Sequence, residues 1–337
     1  MIIAVDAEGG DYAPHEIVKG AIKAAQEHQV EIALVGRKDI LHVLAGKHLE
    51  KLGMTIVDAE EVIGFHEHAV EAVTGKPRSS IVIGTNLVKE GLASAFISAG
   101  NTGAVFFAAM AILGRLNGIE RPALGTLLSL QPNGQTLLID SGANADCRPI
   151  HLVQFAQLGN IYAREILGVA APRIGLLNVG EEPGKGNRLA KESFELLKKT
   201  EMNFIGNVEG HDLVRDKADV IVTDGFTGNI VLKTIEGLGD NWLNSLMQVG
   251  HVFSKAYRLS RQALHRDLGM DSWAKKLDYK ESGGATLLGV NGNIIIAHGR
   301  SQAKAIMNGI TLAKRTAEKD LCQKIKEEHY EQANGDK

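Results

Sequence analysis

Short apolar runs alternate with longer stretches whose apolar positions recur every three or four residues. Ile2–Val5, Ile32–Val35, Thr55–Val57, Ala95–Ser98, Thr136–Ile139, Ile174–Val179, Asn203–Ile205 and Val220–Thr223 read as strands. Ile17–His28, Ser79–Glu90, Ala104–Leu116, His151–Leu167 and Leu189–Thr200 read as the helices between them, and Ser301 to His329 as a final helix. Such alternation predicts an α/β unit with a mostly parallel sheet and helices on both faces. Ligands then bind at the carboxyl ends of the strands, and the polar turns are expected together there, along one edge of the sheet.

Those turns share one chemistry. Ser98-Ala99-Gly100-Asn101-Thr102-Gly103-Ala104 joins a strand to a helix through small residues, so it offers backbone N–H groups and the positive end of a helix dipole. A well-capped structural turn is the plainer reading of that segment alone. Asp6-Ala7-Glu8-Gly9-Gly10-Asp11, Asp140 to Asn144, Asn178 to Asn187 and Asp224 to Asn229 repeat the pattern after other strands, which favours a shared oxyanion site. Lys185 adds an ammonium on the Gly184-Lys185-Gly186-Asn187 turn.

Composition narrows the class. The 337 residues are 44% hydrophobic but only 5% aromatic, so the core is aliphatic, and 38 glycines suit many tight turns. The formal net charge is −3, which does not favour nucleic acid. Two distant cysteines, Cys147 and Cys322, imply neither a disulfide framework nor a zinc knuckle. No secretory leader or membrane-spanning run is evident, so a cytoplasmic protein is expected. Walker A, GxGxxG after the first strand, HExxH at His66-Glu67-His68 and GxSxG are all absent. Cys147 is read as a small semi-buried residue rather than a thiolate nucleophile. No metal site and no cofactor are expected.

Gly239 to Tyr279 departs from the alternation. Trp242, Leu246, Val249, Phe253 and Tyr257 form an apolar helical face, opposed by Asn244, Gln248, His251, Lys255 and Arg258. Ser245 to Lys276 carries a net +4. A basic amphipathic helix can lie on an anionic bilayer, or pack on the protein or a partner subunit.

The motifs resemble the PlsX-type phosphate acyltransferases of bacterial phospholipid synthesis. The resemblance rests on Ala4-Val5-Asp6-Ala7 with Gly9-Gly10-Asp11 and Pro14, on Ser98 to Ala104, and on Gly118 to Ala123. Gly142-Ala143-Asn144 with His151 to Ala156, Gly175 to Gly180 and Phe204 to Glu209 continue it. Val222 to Asn229, Gly283-Gly284-Ala285 and Ala297-His298-Gly299 complete it. It implies conversion of acyl-[acyl carrier protein] and inorganic phosphate to acyl phosphate and free carrier protein, the first step toward phosphatidic acid. It also implies a three-layer α/β/α fold similar to isocitrate and isopropylmalate dehydrogenases and phosphotransacetylases, in one catalytic domain over 1–330 followed by a tail, 331–337. A homodimer, a downstream glycerol-3-phosphate acyltransferase and peripheral contact with anionic membrane through a helical hairpin at 239–279 follow from it.

On the same basis Ser98, Asn101, Thr102 and Gly103 would hold phosphate, and Asp224, Gly225, Phe226, Thr227, Gly228 and Asn229 would shape the thioester end. Lys185 and Lys233 would supply cations, with Asp224 and Asn229 beside them as catalytic candidates. Asp6, Gly9, Gly10, Asp11, His15, Asn144, Asn178, Gly186, Asn187 and Asn207 would complete the substrate site, Asp11 alternatively serving as a helix cap. Phe253, Lys255, Tyr257, Arg258 and Arg261 would meet membrane or carrier protein. Glu8 stands where the family usually has Met, so its carboxylate must turn away from phosphate or pair with a cation. Lys76-Pro77-Arg78 alters a basic pair usual in the family. Two other classes remain: a nicotinamide- and metal-dependent oxidoreductase built on clustered Asp6, Asp11, Asp140 and Asp224, and a non-catalytic membrane scaffold.

Overall fold

A computed structural model describes residues 1–130, 134–239 and 283–335. Its strands form one 11-stranded sheet. Along the chain these are β1 (Ile2–Asp6), β2 (Glu31–Gly36), β3 (Thr55–Asp58), β4 (Ala95–Ser98), β5 (Ala123–Leu128), β6 (Thr136–Ile139), β7 (Ile174–Leu177), β8 (Phe204–Val208), β9 (Val220–Val222), β10 (Ala285–Leu288) and β11 (Ile294–Ile296). The helices are α1 (His15–His28), α2 (Lys38–Leu52), α3 (Ala69–Gly75), α4 (Ser80–Lys89), α5 (Thr102–Ala108), α6 (Pro149–Tyr162), α7 (Arg188–Leu197), α8 (225–239), α9 (Ala303–Glu318) and α10 (Leu321–Gly335). The segment expected to form the hairpin lies outside the described residues apart from its first position, and Phe253, Lys255, Tyr257, Arg258 and Arg261 lie wholly outside them.

Strand side chains alternate between two cores, which makes three layers. Ile3 and Val5 of β1 join Ile17 and Ala21 of α1 and Ile306 and Ile310 of α9 on one face. Ala4 of the same strand joins Ile81 of α4 and Val105 of α5 on the other. In the second half, Ile139 and Val222 pack with Phe155 of α6, whereas Leu138 and Ile221 pack toward Val231, Leu232 and Ile235 of α8.

The sheet order is β3-β2-β1-β4-β11-β10-β5-β6-β9-β7-β8. Seven neighbouring pairs are parallel, but β11–β10, β10–β5 and β5–β6 are antiparallel. Strand direction therefore reverses at the centre, and β1 and β4 run opposite to β6, β9 and β7. This corrects the expectation of one edge: the turns after β1 and β4 leave one edge, those after β6, β9 and β7 the other. The short central strands bring the two sets close. Ser98 at the end of β4 aligns through Ile296, Ala285 and Thr126 with Leu138, one residue from the end of β6.

Three strands escape the hydrophobic pattern. Ala123–Leu128 has Gly125 in mid-run, and the short β10 and β11 belong to a glycine-rich hairpin around Gly289 to Asn293. The long C-terminal helix expected from the sequence is two helices, because Asp320 adopts φ +49° between α9 and α10.

Candidate active site at the sheet reversal

The first edge carries a tight assembly of three turns. Asp6, fully buried, accepts N–H bonds from Glu8 and Gly9 at 3.1 Å, and the Ser98 hydroxyl donates to its other oxygen at 2.6 Å. Ser98 Oγ in turn accepts from Gly100 N–H at 3.0 Å. Burial raises the Asp6 pKa above the usual carboxylate value, against the pull of its hydrogen bonds. Asp6 and Ser98 thus hold the turns in shape. Gly10 has φ +117°, in the region that favours glycine, and lets Asp11 N–H donate to Gly299 O at 2.8 Å. The turn after β11 is thereby docked on the turn after β1. Helix α1 has Pro14 at its N-cap with no side-chain cap, so Asp11 does not cap it; His15 is exposed at its first residue.

Asn101 caps α5, its Oδ1 accepting from Ala104 N–H at 3.1 Å, while Nδ2 faces the carbonyls of Gly64, Phe65 and Glu67. Its side chain ties the 64–67 loop to the turn, so the structure places it in scaffolding. Thr102 and Gly103, by contrast, are exposed on the first helical turn. Glu8 is bound by Arg37, whose backbone N–H donates at 3.0 Å and whose guanidinium nitrogens lie at 3.3 Å. The departure at Glu8 is balanced locally, at the end of β2. Arg78 pairs with Glu60, and Lys76 with Glu67.

On the second edge Asp140 is the organiser. Its Oδ1 accepts from the N–H groups of Leu124, Gly142 and Ala143, and its Oδ2 from the backbone and side chain of Asn144. Burial raises its pKa, yet all five partners donate, so the loop is built around the carboxylate form. Asn144 also reaches Pro122 O, and its own carbonyl accepts from Gly225 N–H at 2.8 Å. Asp224 precedes α8 and accepts from Thr227 N–H and Oγ1, at 2.9 and 2.8 Å. Gly228 sits against the Asp140 carbonyl, where any side chain would collide. Phe226 points outward, 62% exposed.

The same edge continues at β7 and β8. Asn178 Nδ2 donates to Lys185 O at 3.1 Å, and Asn207 Nδ2 to Glu182 O at 2.8 Å. Asn187 caps α7 through Ala190 N–H, and Gly186 has φ +93°. Lys185 Nζ stands 3.8 Å from Glu182 and is half exposed.

Helix α8 joins the two edges. It starts beside Asn144, and eight residues later Lys233 Nζ lies 3.1 Å from His298 Nε2, in the turn after β11. Asn229, Lys233 and Glu236 fall at i, i+4 and i+7, one stripe of a helix. They line a cleft of about 170 Å³ over the central strands, with Thr102, Ser141 and His298. Lys233 donates to Glu236 Oε2 at 2.7 Å, and His298 Nε2 approaches the same oxygen at 3.5 Å. Arg300 N–H donates to His298 Nδ1 at 3.1 Å, which fixes the ring in its turn. Burial opposes ionisation of Glu236, but the bonds from His298 and Lys233 outweigh it and hold the carboxyl below its ordinary range.

Of the residues expected to bind substrate, the cleft gathers Thr102, Asn229 and Lys233. Asp6, Ser98, Asn101, Asn144 and Asp224 hold the neighbouring turns in shape, and neither they nor Lys185 line it. Glu236 carries no signal in the sequence, and only the Ala297-His298-Gly299 motif points to the histidine. Asp6, Asp140 and Asp224 each close their own turn, and no metal-binding group of three His, Cys, Asp or Glu exists among the described residues, which removes the clustering that the oxidoreductase reading needs. Burial, followed by Asp140 nearby, pushes the Cys147 thiol up to about 12. Cys147→Ser is therefore expected to keep turnover within about twofold of wild type. A loss beyond tenfold at unchanged melting temperature would contradict this.

Solved structures share this fold. A phosphotransacetylase from Streptococcus pyogenes superposes with a TM-score of 0.60 at 19% identity, over 94% of each chain. A branched-chain phosphotransacylase from Enterococcus faecalis V583 gives 0.60 at 15%, over 94% of this chain and 99% of that one. The expected three-layer α/β/α fold is thus shared with phosphotransacylases. A family model described as fatty acid synthesis protein matches residues 1–324, and the chain belongs to that family. The phosphate acyltransferase of Dehalococcoides mccartyi is 60% identical over 328 residues, 97% of this chain and 94% of that protein. That of Desulforamulus reducens is 48% identical over 327 residues, 96% of each.

Proposed function

We infer that this chain is a phosphate acyltransferase that moves an acyl group from an acyl-carrier-protein thioester to inorganic phosphate. The observation that carries this reading, beside family membership, is the cleft where α8 brings Lys233 to His298 beside the first turn of α5. Phosphate is seated there by Thr102, the Thr102 and Gly103 N–H groups and the Lys233 ammonium. The thioester carbonyl lies toward Asn229, whose amide donates to the developing oxyanion. A phosphate oxygen bonds to the carbonyl carbon, the C–S bond breaks, and the proton of hydrogen phosphate ends on the departing thiolate. Hydrogen phosphate is already nucleophilic and a thiolate leaves readily, so positioning and charge suffice. No group of this chain need form a covalent intermediate.

Lys185, with Asn178, Gly186, Asn187 and Asn207, belongs in this reading to the rim on the second edge, where a carrier-bound thioester would enter. Homodimerisation, handover to a glycerol-3-phosphate acyltransferase and contact of the 239–279 segment with anionic membrane remain proposals from the family resemblance and from that segment's +4 charge. Among the described residues no helix is long and apolar enough to cross a membrane.

The test is acyl phosphate formation from a long-chain acyl-carrier thioester and phosphate, without metal or nucleotide, trapped as the hydroxamate. Thr102→Val should raise the phosphate KM about tenfold, the worth of one hydrogen bond to a charged group. Asn101→Ala is a poor probe, because it also releases the 64–67 loop. No phosphate-dependent product from folded protein would sink the reading and leave the scaffold class standing.

A further inference from the structure

A carboxylate in an anion site looks counterproductive, yet Glu236 lines the cleft beside Lys233 and His298 with only 15% of its side chain exposed. Both of its contacts fall on one oxygen: Lys233 Nζ at 2.7 Å and His298 Nε2 at 3.5 Å meet Oε2. Among the described residues Oε1 carries no hydrogen bond. An ionised carboxylate only accepts hydrogen bonds, and the two donors on Oε2 keep Glu236 ionised. The cleft therefore offers an incoming oxyanion the donors of Thr102, Asn229 and Lys233, and one acceptor.

Hydrogen phosphate matches that set because its dianion keeps one P–OH group. Sulfate and fluorophosphate have similar size and the same charge at pH 8, but no O–H. Their oxygens or fluorine would face the carboxylate with no proton between them. Resting on the phosphate-site reading of this cleft, we propose that Glu236 is a specificity-determining residue that accepts the P–OH hydrogen bond and so selects hydrogen phosphate over oxyanions lacking a proton. Sites built to bond a substrate hydroxyl discriminate strongly against analogues without it. Glu236→Gln keeps the side chain's size while removing the charge and adding an N–H₂ donor, so it should admit both kinds of anion.

The experiment is calorimetric titration of the full chain at pH 8, without acyl donor, with phosphate, arsenate, sulfate and fluorophosphate. Wild type should bind phosphate and arsenate at least about 100-fold more tightly than the other two. Glu236→Gln should shrink that ratio at least about tenfold, mainly by tighter sulfate binding. An unchanged ratio in the variant overturns the proposal. Wild type binding fluorophosphate as tightly as phosphate also overturns it, with no variant needed. Hydroxamate assays run in parallel separate the two levels. Selective phosphate binding without turnover upholds the selectivity and removes the transferase reading; turnover without selectivity does the reverse.

Discussion

Lys233→Ala should lower kcat/KM for acyl phosphate formation by about 10²–10³, the usual cost of deleting one preorganised group that stabilises transition-state charge. The lysine is placed by two halves of the fold at once: α8 carries it and His298 marks where it arrives, 3.1 Å away. Glu236 holds the ammonium at 2.7 Å, so the four-carbon stem is not left to sample solvent. Stability should change little, because the side chain is 53% exposed and exposed ion pairs contribute little. Steady-state kinetics with varied phosphate, alongside thermal melts, check both halves of the expectation. Activity within threefold of wild type would remove Lys233 from the site.

Asp140→Ala should be the most damaging single change to stability, at about 4 kcal/mol. Five donors converge on this wholly buried carboxylate, and alanine would leave them without an acceptor. Individual losses of about 1–3 kcal/mol do not add in so tight a cluster, so the total stays well below their sum. In a protein of this size that corresponds to a melting temperature lower by roughly 6 °C. Asp140→Asn should rescue little, since its amide nitrogen would confront N–H donors. Circular dichroism melts decide the matter, and a shift under 2 °C would show that the loop closes by other means.

Much of the site was legible as chemistry but not as geometry. The small-residue turns at Asp6–Asp11, Ser98–Gly103, Asp140–Asn144 and Asp224–Asn229 could be read because short polar residues after an apolar run have few other uses. What each residue does there could not. Ser98 and Asn101 look like phosphate donors in the sequence, yet Asp6 and the 64–67 loop occupy them, contacts across 92 and 34 to 37 residues. Lys185 and Lys233 are equivalent as lysines near glycines, and only the course of α8 separates them. Helix α2 escaped notice because just Leu41 and Ala45 of its fifteen residues are buried, too few to set a period.

The sequence by itself determined the layers: alternating strand and helix patterns fix which faces must be buried, and local sterics place the glycine turns. Its motifs likewise fixed the family. Only the tertiary structure decided that three antiparallel pairings reverse the sheet between β11 and β6. Pairing direction depends on which strands meet, and strands of 3–6 residues carry too little pattern to dictate their neighbours. That reversal splits the turns between two edges and makes α8 the bridge that brings Asn229, Lys233 and Glu236 over the cleft.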